Sequence, residues 1–370
     1  IEKEMQAYLD YDENTFRGKI ILLPCDDPEW SNFTKFFAQN FNYLGLKKLI
    51  STSYAHQSKH LESEYQPSLF EQQDPKFNVE KSAAKGKIFT LTQDSNADGV
   101  IDLNDLEWEY LDGDGDFRSE EIKALRDEAD IIITNPPFSV FREFMAWIME
   151  REKKFSVIGN MNAITYKEIF PLIKNNKMWT GTRFNKRING KNMTFLVPED
   201  YPLNGTEVEV IDGKKMISVA GTGWYTNLEH GRRHQPLQLM TKSDNLKFNN
   251  GIINDATSYQ KYENFDALEI PKTNGIPSDY DGVMGVPISF LDKYCPEQFE
   301  IIGLGIANLG LDAGVEPYKI EHKKYRKEVQ KRGAVDGDLY MMIDGIVHVP
   351  YARILIKHRN SIKKDSKDGN

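Results

Sequence analysis

A doubly wound α/β fold with a mostly parallel sheet, followed by a loop-rich α+β region, is what this sequence predicts. Three observations carry the expectation. Short apolar runs alternate with helical patterns through the first half of the chain. One run, Ile131-Ile132-Ile133-Thr134, is wholly β-branched and stops just before Pro136-Pro137. The alternation then breaks down after Met178.

In chain order, Lys19–Pro24 reads as a buried strand, and Ser31 as the cap of a helix whose Phe33, Phe36, Phe37 and Phe41 recur at helical spacing. Lys48–Ser53 and Lys87–Thr92 are the next strands. Ser119 caps a short acidic helix, and Ile131–Thr134 is the fourth strand. A helix carrying Phe141, Phe144, Met145 and Ile148 follows it. Phe155–Ile158 opens a fifth strand, with a helix near Tyr166–Ile173 after it. Beyond Met178, Glu207–Ile211 and Lys214–Val219 flank Asp212-Gly213 as a β-hairpin, because Asp-Gly tolerates the positive φ of such turns. Leu237–Thr241 resembles another strand. From Asp244 onward Gly, Pro, Asn and Tyr interrupt every run. The chain therefore divides into a first domain over 1–242, a loop-rich α+β region over 243–358 and a polar tail over 359–370 that is expected to be disordered.

Composition excludes several classes. No apolar run approaches the roughly 20 residues that cross a bilayer, so no membrane partner is expected. The N-terminus lacks the basic-then-apolar order of a secretory signal. Two cysteines are too few for a disulfide framework or a zinc cluster, and a reducing cytoplasm fits them. The net charge of −9 argues at first against nucleic acid. Yet Asp94–Asp130 holds 14 acidic and three basic residues, more negative charge than the whole chain, and reads as a local acidic insertion (94–130). Basic groups gather at Arg183–Arg187, Glu229–His234 and His322–Lys327.

Asn135-Pro136-Pro137-Phe138 carries the chemistry. In doubly wound sheets the carboxyl ends of strands face the ligand crevice. Two prolines remove two backbone donors and fix φ near about −65°, leaving a stiff edge of acceptors. The exocyclic amine of adenine is a poor nucleophile because its lone pair is delocalised into the ring. The Asn135 side-chain oxygen and the Pro136 carbonyl can each accept one amino hydrogen, which favours a tetrahedral nitrogen aimed at a methyl donor. Phe138 can stack on the base, worth roughly 1–3 kcal/mol. Neither a metal nor a strong general base is required.

The sequence resembles the amino-methyltransferases with an (Asp/Asn)-Pro-Pro-(Tyr/Phe) motif and, more closely, the EcoRI-type adenine-specific DNA methylase family. Besides Asn135–Ser139, the resemblance is carried by Pro24-Cys25-Asp26-Asp27-Pro28 with Ser31, Leu44–Ile50, Gly113–Ser119, Gly159-Asn160 with Asn162–Tyr166, Trp224–Leu228 and Tyr280–Pro287. It spans Gly18 to about Ile356. It implies a class I S-adenosylmethionine-dependent fold with a seven-stranded sheet, and site-specific methylation of a flipped-out adenine in double-stranded DNA. A cognate restriction endonuclease is an implied partner, in a bacterial cell or encoded by a phage.

The same resemblance implies site roles. The loop Pro24, Cys25, Asp26 and Asp27 with Ser31 would hold the cofactor, Asp26 gripping its methionine ammonium. Where related enzymes place a ribose-binding acid, this chain offers Thr52, Ser53 and Tyr54. Asp114, Asp116 and Phe117 would meet the adenine of the cofactor, with the Phe117 backbone or ring beside the purine. Trp224, Tyr225 and Asn227 would line the pocket for the target base. The family also tends to carry an aromatic segment ahead of the first strand, and Ile1 stands so close to that strand that part of the segment is expected to be missing.

Asp94, Asn96, Asp98, Asp102 and Asp105 follow the spacing of a calcium loop, with Gly99 at the sixth position. The last is Asp where Glu is expected, and a β-like run precedes the loop. A structural calcium ion would clip the acidic segment. Two other readings stay open: an RNA adenine or protein glutamine methyltransferase, which reuse the motif, and a non-catalytic nucleic-acid-binding module.

Overall fold

The computed structural model describes residues 1–28, 31–55, 75–95, 99, 101–182, 193–197, 208–211, 213–219, 221–248 and 258–359. Two compact units emerge. The first is Ile1–Met161 with Met178–His230, and the second is Asn162–Lys177 with Gly231–Asn370. The chain thus enters the second unit at Asn162, returns, and leaves the first at His230, earlier than the expected boundary after residue 242.

The first unit is built on an eight-stranded sheet. In chain order it contains α1 (Glu2–Tyr11), β1 (Ile20–Leu23), α2 (Asn32–Gln39), α3 (Phe41–Leu44), β2 (Lys48–Ser53), α4 (Val79–Ala84), β3 (Lys87–Leu91) and β4 (Glu107–Tyr110). Then follow α5 (Glu120–Glu128), β5 (Ile131–Thr134), α6 (Phe141–Met149), β6 (Lys154–Asn160), β7 (Trp179–Thr180) and β11 (Thr222–Thr226). The sheet order is β4-β3-β2-β1-β5-β6-β11-β7. Its centre, β2-β1-β5-β6, is parallel. The strands on both flanks run antiparallel, so the sheet has one strand more than the seven expected. A mainly parallel core in a mixed α/β unit is the result.

Burial explains why these runs are strands. All four residues of β1 and of β5 are buried, as a central parallel strand covered on both faces requires. On one face Ile21, Leu23, Ile131, Ile133, Ile158 and Trp224 pack with Phe33 and Phe37 of α2 and Met5 and Tyr8 of α1. α6 covers the other face, Phe141 lying 5.5 Å from the Tyr225 ring. The buried Arg126 of α5 ties the two helices behind the site, donating to the Trp147 carbonyl at 2.9 Å and to Glu150 at 2.7 Å. Ser31 and Ser119 cap α2 and α5 as expected, each hydroxyl accepting a backbone N–H.

The acidic segment is woven into this unit. Glu107–Tyr110 is an edge strand with the two Glu exposed and Trp108 and Tyr110 half-buried, and α5 packs on β1. A small antiparallel sheet, β8 (Met193–Leu196), β9 (Val208–Ile211) and β10 (Lys214–Val219), completes the unit. It contains the expected hairpin, whose Glu207 and Asp212 lie outside the described residues.

The second unit has its own core. It contains α7 (Phe170–Lys174), α8 (Lys242–Phe248), β12 (Ala267–Glu269), β13 (Val283–Pro287), β14 (Phe299–Gly305), α9 (Ala307–Asp312) and α10 (Ile320–Glu328). β15 (Met341–Ile343), β16 (Ile346–His348) and β17 (Arg353–His358) follow. The order β12-β13-β17-β14 forms a four-stranded sheet, with β15-β16 as a separate hairpin. Tyr318 and Tyr340 stack face to face at 4.3 Å. Leu237–Thr241 is not a strand. The Gln298 side-chain amide takes both the N–H and the carbonyl of Leu237, at 2.7 and 2.9 Å, doing for one residue what a neighbouring strand would do. Arg183–Arg187 and residues 360–370 of the polar tail lie outside the described residues. Among the described residues, no helix is long and apolar enough to cross a membrane.

Candidate active site

β1 and β5 are neighbours whose connections leave to opposite sides of the sheet, which opens a crevice at their carboxyl ends. Both signature segments lie there. Asp26 follows β1, and Asn135-Pro136-Pro137-Phe138 follows β5. A hydrogen bond joins them: the Thr134 hydroxyl donates to Asp26 Oδ2 at 2.6 Å. The Ser31 hydroxyl donates to Asp26 Oδ1 at 2.7 Å while accepting the Phe33 N–H that caps α2. The Asp26 backbone is also fixed, its N–H donating to the Thr52 carbonyl at 3.1 Å and its carbonyl accepting from the Thr34 and Ser51 hydroxyls. Burial pushes the Asp26 carboxyl up to about 6, against the lowering effect of the two hydroxyls. Among the described residues this buried carboxylate is met by two hydroxyl donors and no cation, an environment that a positive ligand would balance.

At the end of β5, Asn135 is half-buried and Pro136 buried. The Asn135 Oδ1 atom is shut off from solvent and has no hydrogen-bond partner. Among the described residues no donor reaches the Pro136 carbonyl either, since the next turn closes from Val140 N–H to the Pro137 carbonyl at 3.1 Å. Two acceptors therefore stand side by side without donors, and a buried acceptor left so costs roughly 1–3 kcal/mol. Phe138 is half-buried, one side of its ring on the α2-side core.

The remaining cofactor-side residues divide. Thr52 is buried and donates its hydroxyl to the Pro24 carbonyl at 2.9 Å, which holds the loop. Ser53 is buried at the end of β2, where its carbonyl touches the backbone of Gly86 and Gly115. The Asp114 side chain accepts the Asp116 N–H, and the Asp116 carboxylate accepts from the Arg118 backbone at 2.8 Å and guanidinium at 3.2 Å. The Phe117 ring is buried in the core, 5.2 Å from Phe144 and 5.7 Å from Trp147, so only its backbone can face a purine. The half-buried Cys25 thiol is pushed up by burial and by Asp26, which argues against a thiolate. Asp27 uses its carbonyl to receive the Ser31 N–H at 2.6 Å.

The three residues expected around the target base separate as well. Tyr225 is fully buried, and its hydroxyl donates to the Asn160 carbonyl at 2.9 Å, at the same sheet edge as the motif. Trp224 points to the opposite face, its ring 5.7 Å from Phe33 in the core. Asn227 sits at the far end of β6, accepting the Phe155 N–H at 2.7 Å and donating to the Lys153 carbonyl at 3.0 Å. That end is remote from the motif because β11 runs antiparallel to β6. Asn227→Ala is therefore expected to lower stability by about 1–3 kcal/mol, through the orphaned Phe155 N–H, while the methylation rate holds. Thermal unfolding and a rate measurement on the same preparation check it.

The calcium expectation is not supported. Asp94 accepts from Gly99 N–H at 2.8 Å, Asp102 from Asn104 N–H at 2.7 Å, and Asp105 from the Ser95 and Asp102 N–H groups at 2.9 and 3.0 Å. These carboxylates satisfy turn amides and do not converge. Asn96 and Asp98 lie outside the described residues, and among the described ones no cluster of His, Cys, Asp or Glu could hold a metal ion.

Sequence reasoning missed Thr134, the single polar residue of the β5 run and the link between the two loops. It gave no role to Ser51 and Thr34, which brace Asp26. Tyr54 stands with Thr52 and Ser53 where related enzymes place a ribose-binding acid. It is half-buried, its hydroxyl in hydrogen-bond reach of the Phe117 backbone, and burial pushes its phenol up beside Cys25 and Asp116.

Residues 1–359 match the family described as adenine-specific methyltransferase EcoRI. The type II methyltransferase M.EcoRI of Escherichia coli is 38% identical over 360 residues, 97% of this chain and 90% of that protein. The type II methyltransferase M.MgeORF184P of Mycoplasma genitalium is 34% identical over 82% of this chain and 79% of its own length. M.MpnI of Mycoplasma pneumoniae is 33% identical over 78% and 76%. No solved structure matches the chain at a significant level. With its signature at the end of β5 and this match along nearly its whole length, the chain belongs to the EcoRI family of S-adenosylmethionine-dependent methyltransferases and is an adenine-specific DNA methyltransferase.

Proposed function

We propose that this enzyme methylates the exocyclic amine of one adenine, flipped out of duplex DNA at a specific site, as the modification half of a restriction system. The observation that carries the reading is the pair of donor-free acceptors, Asn135 Oδ1 and the Pro136 carbonyl, at the carboxyl end of β5. Each would accept one hydrogen of the amine, turning its lone pair away from the motif edge. Phe138 offers its uncovered face to the base, and the Tyr225 hydroxyl fixes the Asn160 carbonyl beside it. S-adenosylmethionine supplies an electrophilic methyl group on a sulfonium. Asp26, held by Ser31 and Thr134, would bind its ammonium. Asp116, Tyr54 and the Phe117 backbone would receive its nucleoside end, the Asp116 carboxylate retaining lone pairs beyond those used by Arg118. The surplus proton on the methylated amine would leave to water, since among the described residues no general base is hydrogen-bonded to the acceptors. The second unit would read the target sequence, and a cognate endonuclease would cut the same sequence when unmodified.

Transfer of a tritium-labelled methyl group, followed by single-molecule sequencing of the product, tests the reading. Label on the adenine amine in duplex DNA, at one recurring sequence, is the expected result. Label confined to RNA, to protein or to cytosine would overturn it.

The Asp26 assignment has a pH signature. Burial raises this carboxyl from 3.8 to about 6, so its contribution to stability is complete below the lower value and is lost as pH rises through the upper one. A cationic ligand needs the ionised form. Cofactor affinity is therefore expected to fall about tenfold per pH unit below about 6. In Asp26→Asn, calorimetric titration should show weak binding with that slope removed.

A further inference from the structure

α10 in the second unit projects a row of cations that the fold leaves without partners. Residues 319–332 carry seven Lys and Arg side chains against two Glu, in a chain of net charge −9. One side of the helix is anchored. Lys319 pairs with Glu263 at 2.9 Å and Lys323 with Asp336 at 2.8 Å, and His322 meets the Tyr340 hydroxyl at 3.1 Å. Arg326 donates to the Gly333 carbonyl at 2.7 Å. Lys324 and Lys327, three residues apart on the helix, and Lys331, three residues past its end, are all exposed. None has an ion pair or side-chain hydrogen bond among the described residues. α10 buries no residue of its own, so its polar anchors hold it while the outer row faces solvent.

The backbone adds an independent sign. Lys331, just past the helix end, has φ +53. Glycine is the residue that takes this left-handed position without strain. A lysine here accepts a backbone cost and gains no contact in return, a pattern expected where the side chain is used outside the fold.

We propose that α10 and the turn that follows it form a phosphate-binding surface for duplex DNA, gripping the backbone through Lys324, Lys327 and Lys331 independently of base sequence. This rests on the DNA reading above. Three like charges within eight residues of α10 and the turn after it complement a phosphate row, and each neutralised phosphate releases condensed counterions. Affinity contributed by α10 must then depend on salt and not on sequence.

The test uses the full-length protein and fluorescence anisotropy of two unrelated duplexes over a salt series. Lys324→Gln/Lys327→Gln/Lys331→Gln is expected to weaken both duplexes alike and to reduce the slope of log affinity against log salt by about one per lysine. Lys331→Gly alone should raise the melting temperature, by relieving the strained position, and still lose about one unit of slope. A merely structural lysine would move stability and binding together. A wild type that methylates duplex DNA beside variants of unchanged affinity and slope overturns this assignment alone. A wild type that transfers methyl to no duplex overturns the DNA reading itself.

Discussion

Asn135→Ala is expected to lower the methylation rate by a factor on the order of 10²–10³, the cost of removing one pre-aimed polar group from a site of developing charge. Cofactor affinity should stay near wild type, because Asn135 shares no hydrogen bond with the Asp26 cluster. Stability should stay level or rise. The Asn135 Oδ1 atom is buried without a donor, and deleting it removes a penalty of roughly 1–3 kcal/mol, offset in part by the small cavity left behind. Loss of rate with undiminished stability is the mark of a group kept for substrate and not for the fold. Asn135→Asp retains an acceptor at the same place and should keep more activity than alanine. Single-turnover rates and thermal melts of the three proteins decide the matter. An alanine variant of near wild-type rate would sink the proposed activation of the amine, and one that melts lower with a normal rate would make Asn135 a structural residue.

The central strands were legible because burial on both faces leaves a mark in sequence. β1 and β5 are apolar runs in which only Thr134 is polar, and the hydroxyls of Ser31 and Ser119 stand where helices begin. What escaped depended on partners far along the chain. Leu237 looks like strand, yet its backbone is satisfied by the side chain of Gln298. The aromatic pair Trp224-Tyr225 reads as one motif, but a strand sends neighbours to opposite faces, so only Tyr225 reaches the motif edge. Asn227 lies two residues farther, at the other end of the sheet. β4 had a usable signal in the alternation Glu107-Trp108-Glu109-Tyr110, which the density of acidic charge concealed. The calcium spacing misled because short acidic side chains serve turn amides as readily as cations.

Gly115→Ala should be the most damaging single change on the cofactor side. Three backbones converge there: the end of β2 at Ser53, the approach to β3 at Gly86, and the turn Gly113–Asp116. Hydrogen bonds from Gly86 N–H to the Gly113 carbonyl, at 3.0 Å, and from Ala55 N–H to the Asp114 carbonyl, at 2.7 Å, hold them in register. A Cβ on Gly115 would lie 2.3 Å from the Ser53 carbonyl oxygen and 3.3 Å from the Tyr54 Cα. Neither neighbour is a side chain able to swing aside, and φ is +88, which disfavours alanine independently. Gly99 separates the two costs, since its φ is +87 but among the described residues nothing lies within 4 Å of its Cβ position. Gly99→Ala should cost about 1–2 kcal/mol of stability from backbone strain alone. Gly115→Ala should cost about 3–5 kcal/mol, because the backbones must also part. Their parting would move Tyr54 and Asp116 off the proposed nucleoside end of the site, so the KM for S-adenosylmethionine should rise far more than kcat falls. The Asn135 acceptors, on a different strand, contribute to neither change. Equal melting temperatures for the two alanine variants would show that the three backbones can separate freely, and a rise in KM no larger for Gly115→Ala than for Gly99→Ala would remove this turn from the cofactor site.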